Sequence, residues 1–362
     1  MRSWVEVSRG RLRENFRAVR ALVCPAVEVM PVVKADAYRH GALEVSRLLE
    51  ADGARWLAVS SVEEGTVLRR EGIAARILVM ADYLAEERTA LEEFGLTPVI
   101  HNLEDVRGAR VPYHLKIDSG MRRLGTLAPA AEIVAAVRAA PAPLEGLMTH
   151  FASAANYESG QTERQMARFS EVLGALRAAG IQPRYIHQAS SIPIAYAREA
   201  AWGNLVRPGY AIYGYTSPAK GPAPRARLEV RPVLTWKASV LAVKDVEAGA
   251  AIGYGAIHRA ACPMRIAVLA AGYADGIPHR LSNRGKVIAQ GRLVPIIGAV
   301  SMDLMTIDAT ECEGLQPGDA VTLLGTEGSV TIDAQQIARW AGTISYSVLC
   351  GISARVKRLY VD

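Results

Sequence analysis

Residues 27–41 read VEVMPVVKADAYRHG. An apolar run broken only by Glu28 stops abruptly at Lys34. A short, almost wholly apolar run of this kind is a strand buried on both faces, as in a parallel sheet covered by helices. An open doubly wound sheet ordinarily follows its first strand with a G-x-G-x-x-G turn. KADAYRHG contains no such turn. Working outward, comparable runs recur at WLAVS (56–60), RILVM (76–80), TPVI (97–100), YHLKI (113–117), LEGLMT (144–149), RYIHQ (184–188) and NLVR (204–207). Segments of helical period separate them, such as AAEIVAAVRAA (130–140) and TERQMARFSEVLGALRAAG (162–180). About eight βα units in under ~200 residues predict a (β/α)8 barrel of the TIM type.

Near residue 215 the texture changes. TSPAKGPAPRAR (216–227) is rich in proline, glycine and small residues and reads as a boundary. Beyond it come strand patterns with few long helices, among them VLTWKASVLAV, RIAVLAAG, LVPIIG and AVTLLG, punctuated by turns such as QPGD and TEGS. The expectation is an α/β chain: a barrel over 1–225, then a mainly antiparallel β domain over 226–362, with one short helix at DAQQIARWAG (333–342).

The length of 362 residues suits about two domains. The net charge of +6 comes from 42 basic residues interleaved with 36 acids, with no long basic run, so a nucleic-acid partner is not expected. Cys24, Cys262, Cys312 and Cys350 lie far apart without a CxxC pair. That argues against a zinc site or a disulfide framework and fits a reducing compartment. The start, MRSWVEVSRGRLRENF, lacks the apolar centre of a signal peptide, and charges interrupt every candidate membrane span. A cytoplasmic enzyme without membrane contact is the expectation.

A barrel does its chemistry at the C-terminal ends of its strands. The polar residues expected there are Lys34, Lys116 with Asp118, Thr149 with His150, Ser190 with Ser191, and Arg207 ahead of Pro208 and Gly209. Alone, a strand-end lysine usually extends its amine into solvent. At the top of a dry interior its pKa falls instead, and a neutral amine is what a Schiff base with an aldehyde requires. The segments after strands seven and eight, SSIP and RPGY, occupy the positions where barrels frequently hold a phosphate. An aldehyde-reactive lysine beside a phosphate site suggests pyridoxal 5′-phosphate as the cofactor. With His101, His150 and His187 near barrel strands but no HxH pair, no metal site is expected.

These motifs resemble those of bacterial alanine racemases. PVVKADAYRHGA resembles the attachment motif of that family, and HLKIDSGMRRLG, MTHFASA, HQASS, VRPGYAIYG, AIGYGA, AAGYADG, SMD and TISYSVLCGISARVKR resemble its later blocks in the same order, over about residues 4–360. The resemblance implies a pyridoxal-phosphate enzyme working as a head-to-tail homodimer with shared active sites, in which D-alanine is made for peptidoglycan. It implies that Lys34 carries the cofactor and serves as one base, and that Tyr254 of the partner is the opposing base. It implies that Arg207 bonds the pyridine nitrogen, that His150 orients Arg207, and that Arg123 meets the phenolate oxygen. Tyr38, Ser191, Gly209, Tyr210 and Tyr346 would hold the phosphate. Tyr273 and, from the partner, Met302 and Asp303 would line the substrate carboxylate region, with Arg123 also toward the substrate. Lys116 matches a family lysine that is often carbamylated. The chain departs from the family at Arg39 and Arg122, where glycine is usual, at Ser190 (usually Asn), at Ser301 (usually Cys) and at His258 (commonly Tyr).

The residue types also carry a mechanism. Inverting an α-carbon needs a proton removed from one face and returned to the other, which two opposed bases accomplish. An arginine cannot take a proton from the pyridine nitrogen, whereas a carboxylate partner would keep that nitrogen protonated and favour side reactions. An amino-acid decarboxylase would place an acid there, so Arg207 argues against that rival. A serine or broader-range racemase shares every motif named. A non-catalytic pyridoxal-phosphate-binding protein would resemble the barrel alone and lack Tyr254. The bulk of Tyr254, Tyr273 and Tyr346 leads to the expectation of alanine ahead of larger substrates.

Overall fold

The apolar runs form strands because their residues are buried on both faces and their β-branched side chains suit the pleat. The computed structural model describes residues 1–81 and 83–362. The strand β1 (Ser3–Ser8) is followed by eight parallel strands. They are β2 (Glu28–Val29), β3 (Trp56–Val59), β4 (Arg76–Val79), β5 (Thr97–Ile100), β6 (Tyr113–Lys116), β7 (Leu144–Met148), β8 (Tyr185–His187) and β9 (Leu205–Val206). β3 to β8 pair in sequence order and β2 pairs with β9. Parallel bridges Val32↔Ala58 and Ser190↔Arg207 join the two sets, closing the ring as the sequence predicts. Regular pairing of the first strand is shorter than the run 27–33, because Pro31 has no N–H to give. The backbone nevertheless continues the ladder through Met30 N to Val206 O and Val32 N to Pro208 O.

The intervening helices bury one stripe each. The helix Gln161–Ala178 turns Thr162, Gln165, Phe169, Val172 and Leu176 inward at helical spacing. Phe169, Val172 and Leu176 join Leu115, Ile133 and Leu147 in one apolar cluster. Ser61 and Asn102 cap their helices by accepting from the amides of Glu64 and Asp105. These elements make one compact unit, Gly10–Ala37 with Ala42–Arg231.

The second unit comprises Met1–Arg9, Tyr38–Gly41 and Pro232–Asp362. Its strands are β10 (Leu234–Val246), β11 (Ala251–Ile252), β12 (His258–Arg259), β13 (Met264–Leu269), β14 (Lys286–Ala289), β15 (Arg292–Ile297), β16 (Met305–Asp308), β17 (Ala320–Glu327), β18 (Val330–Ile332) and β19 (Lys357–Val361). The long β10 bends at a bulge between Val240 and Ala242 and, besides β1, serves two further neighbours. Trp236–Ser239 pair with β17 and Val240–Val246 with β13, so that β10, β13, β16, β15, β14 and β17 close on themselves. Among the described residues every strand pairing in this unit is antiparallel except β1 with β19.

Sequence places residues 1–225 together, whereas β1 pairs antiparallel with β10, over 200 residues away in sequence, and so belongs to the β unit. The expected helix forms over Ala334–Ala341, capped by Asp333 and ended by Gly342 at φ 64°. Among the described residues no helix is long and apolar enough to cross a membrane.

Candidate active site

In the barrel unit, the chain leaves the first strand in a conformation the sequence does not announce. Lys34–Arg39 make a helical turn, and Ala35 to Arg39 all have positive φ, between 53° and 66°. This is a left-handed turn built without glycine, which costs L-residues roughly 1–2 kcal/mol each. Hydrogen bonds hold it in place. Glu64 accepts from Ala35 N through Oε1 and from Ser60 N through Oε2, both at 2.7 Å. Asp36 Oδ1 accepts from Ala42 N at 2.8 Å. The strain is concentrated directly after half-buried Lys34, where backbone strain commonly accompanies function.

At the end of β6, Lys116 is only 5% exposed. Burial, then the charges of Arg123 and Arg207, lower its pKa to about 8. Asp118, whose charge acts on Lys116, spends Oδ1 on the amides of Gly120, Met121 and Arg122. Burial would raise its pKa, yet those N–H groups and the Arg122 charge bring it below the usual range. Arg122 has φ 59°, which explains why glycine is usual there, and Arg39 stands at φ 66° for the same reason. Arg123 is exposed.

Arg207 is 2% exposed and bonds only neutral acceptors. NH1 donates to His187 Nδ1 at 2.8 Å and His187 O at 2.9 Å. NH2 donates to Thr149 O at 2.7 Å and Gln188 O at 3.2 Å, and lies 3.4 Å from His150 Nδ1. Four of its five N–H groups are thereby directed at protein, leaving Nε–H. Burial lowers its pKa to about 9, which still leaves it charged at neutral pH. His150, half-buried and facing Arg207, Lys116, Arg123 and Lys34, is held to about 3 by desolvation and those charges and is neutral. His150, the residue expected to orient Arg207, therefore makes the long contact to it, and His187, whose position inside an apolar run hides it, makes the short one.

Ser191 Oγ accepts from Gly209 N and Ala211 N, both at 3.1 Å. Gly209 opens a series of i→i+3 turns. The ring of Tyr210, 2% exposed, stacks on Tyr215 at 4.9 Å. The barrel rim thus gathers Lys34, Lys116, Arg123 and Arg207, while the nearby carboxylates of Asp118, Glu64 and Asp36 are each engaged by backbone amides. That excess of cations and N–H donors fits a small anionic group such as a phosphorylated phenol.

In the β unit, the rings of Tyr38 and Tyr346 lie 6.2 Å apart. Burial, with Tyr346 and Cys350 nearby, pushes the Tyr38 phenol above its ordinary pKa. Tyr254 sits in a 3-10 turn between Gly253 and Gly255, both at positive φ, and is 77% exposed. Gly298 allows the next loop to pack close: an added Cβ would lie 2.7 Å from Ile252 O. Tyr273 N donates to Ser301 O and Ala274 N to Met302 O, both at 2.9 Å, which sets Tyr273 beside Met302. These two are 46% and 54% exposed. Asp303, expected to line a carboxylate site, is ion-paired with Arg355 at 2.8 Å, and Arg355 also holds Asp275 at 3.0 Å.

Comparison with known proteins follows the same division. The family described as alanine racemase, N-terminal domain, matches residues 7–217, and alanine racemase, C-terminal domain, matches residues 233–360. The alanine racemase of Carboxydothermus hydrogenoformans is 41% identical over 368 residues, covering 99% of each chain. The solved alanine racemase of Clostridium difficile 630 superposes with a TM-score of 0.92 at 32% identity, covering 100% of this chain and 96% of that one. That of Bartonella henselae, solved with covalently bound pyridoxal phosphate, gives 0.87 at 26% identity over the whole of both chains.

Proposed function

The chain belongs to the alanine racemase family, pyridoxal-phosphate-dependent isomerases, and from that premise we propose that it interconverts L- and D-alanine with Lys34 and a second copy's Tyr254 as opposed bases. The observation that carries this reading is the setting of Arg207, a buried guanidinium ringed by neutral acceptors. It can only donate to a ring nitrogen, as racemization without side reactions requires, and no acid stands in the place a decarboxylase would use. When bound, pyridoxal phosphate supplies an electron sink that acidifies the substrate's α-proton.

Lys34 is the attachment amine, and once free its Nζ takes the α-proton from one face. The Tyr254 hydroxyl returns a proton to the other face, and the two exchange roles in the reverse reaction. Arg123 would meet the cofactor's phenolate oxygen and lie toward the substrate. Tyr38, Ser191, Gly209, Tyr210 and Tyr346 would hold the phosphate. Met302, Asp303 and Tyr273 border the substrate, with the Asp303 charge offset by Arg355. Lys116, with its pKa lowered to about 8, reaches the neutral amine form that combines with carbon dioxide, as a carbamate, far more readily than an ordinary lysine does. Such an anion would offset the surrounding cations. The exposure of Tyr254, Met302 and Tyr273 supports a homodimer with shared sites. The setting is the cytoplasm and the product serves peptidoglycan. D-alanine formed from L-alanine, dependent on added pyridoxal phosphate, tests the activity; lysine or arginine turned over in preference to alanine would overturn the substrate assignment.

A further inference from the structure

Below Arg207 a polar column descends through the apolar interior of the barrel, and its direction can be read atom by atom. Arg207 NH1 is a donor, so His187 Nδ1 must be the acceptor at 2.8 Å. A neutral imidazole with an unprotonated Nδ1 carries its proton on Nε2. His187 Nε2 lies 2.7 Å from His114 Nδ1, which must then accept, putting the His114 proton on Nε2 as well. That last N–H has no hydrogen-bond partner, but it faces the carboxylate Oε2 of Glu145 at 3.9 Å. Glu145 is in turn held by both terminal nitrogens of Arg76 at 2.6 Å, and Arg76 lies over the Trp56 ring. A guanidinium at the upper end and a carboxylate at the lower end therefore favour the same tautomer in both imidazoles. Both rings are fully buried and both resist protonation, His114 to about 3 and His187 below its ordinary value.

The backbone makes room for this arrangement. His114 pairs with Gly146 of β7 immediately after a register shift. A Cβ on Gly146 would come 2.5 Å from His114 Nδ1, the accepting atom itself. Trp56 and Tyr185 enclose the ring at centroid distances of 5.4 and 5.8 Å.

We propose that His114 is a positioning residue for Arg207: by accepting the Nε2–H of His187 it locks His187 in the one tautomer whose Nδ1 lone pair receives the guanidinium. Without that acceptor, His187 is free to turn an N–H toward Arg207, two donors meet, and the guanidinium loses its shortest side-chain contact. The consequence for turnover rests on the role given to Arg207 above; the tautomer lock does not.

Two variants separate hydrogen bonding from packing. His114→Phe keeps an aromatic ring without an acceptor, and His114→Asn keeps an acceptor near the Nδ1 position without the ring. Imidazole 15N spectra of histidine-labelled protein, with and without pyridoxal phosphate, read the tautomer directly. We expect one Nε2–H tautomer for His187 in the wild type and in His114→Asn, and mixed tautomers in His114→Phe. Turnover should follow the same order, with kcat/KM falling roughly tenfold in His114→Phe, as for other outer-layer supports of a site. A single unchanged His187 tautomer in His114→Phe, or equal loss of the lock in both variants, overturns the proposal. If the tautomers behave as expected while kcat/KM stays level, the lock stands and the role given to Arg207 fails.

Discussion

The two units present their functional groups in opposite ways. In the barrel, Arg207 is 2% exposed and Lys116 5%, each set at a strand end within a closed ring. In the β unit, Tyr254 is 77% exposed and Met302 54%, carried on short turns shaped by glycine. Buried groups gain their properties from the fold that encloses them, as the depressed pKa values of Lys116 and His114 illustrate. Exposed groups such as Tyr254 have no such enclosure within the unit that carries them, which is why we assign their work to the surface of a second copy.

That contrast can be broken experimentally. The largest expected effect is on Tyr254→Phe, which should reduce turnover by about 10²–10⁴-fold while leaving folding stability within about 0.5 kcal/mol, as for other exposed positions. A comparable drop in the unfolding midpoint would show that Tyr254 is structural. Next comes acid sensitivity of the barrel. His114 and His150 are held to about 3, and His187 is also lowered. Their unfolded forms bind protons near pH ~6.5, so stability should fall as pH drops through that value toward 3, by roughly 2 kcal/mol per imidazole at about pH 5. Urea midpoints between neutral and acid pH check this, and His114→Asn should flatten the slope by one imidazole's share. The smallest effect concerns Arg122 at φ 59°. Arg122→Gly should raise stability by about 0.5–1 kcal/mol by relieving left-handed strain, read as a shift in the thermal midpoint.

Sequence showed the barrel through its apolar runs because a strand buried on both faces is a local, compositional signal. It did not place β1, whose partner strand β10 lies beyond residue 230. The rim residues Lys34, Lys116, His150, Ser191 and Arg207 were legible because they close apolar runs. His187 and His114 were harder, since each lies inside a run. The signal was nonetheless present: His114 and Lys116 are two apart on β6 and so point to the same face. The left-handed turn after Lys34 was not legible, because nothing in ADAYR favours positive φ and the groups that hold it, Glu64 above all, come from another segment. The engagement of Asp303 by Arg355 is likewise a contact across 52 residues.

The most direct test of the shared site is subunit complementation. Lys34→Ala and Tyr254→Phe chains, each nearly inactive alone, would be co-expressed in equal amounts and assayed for D-alanine formation. If one copy's Lys34 works with another copy's Tyr254, random pairing leaves about a quarter of the sites intact and restores about that fraction of wild-type activity. A mixture no more active than its parents would contradict the account.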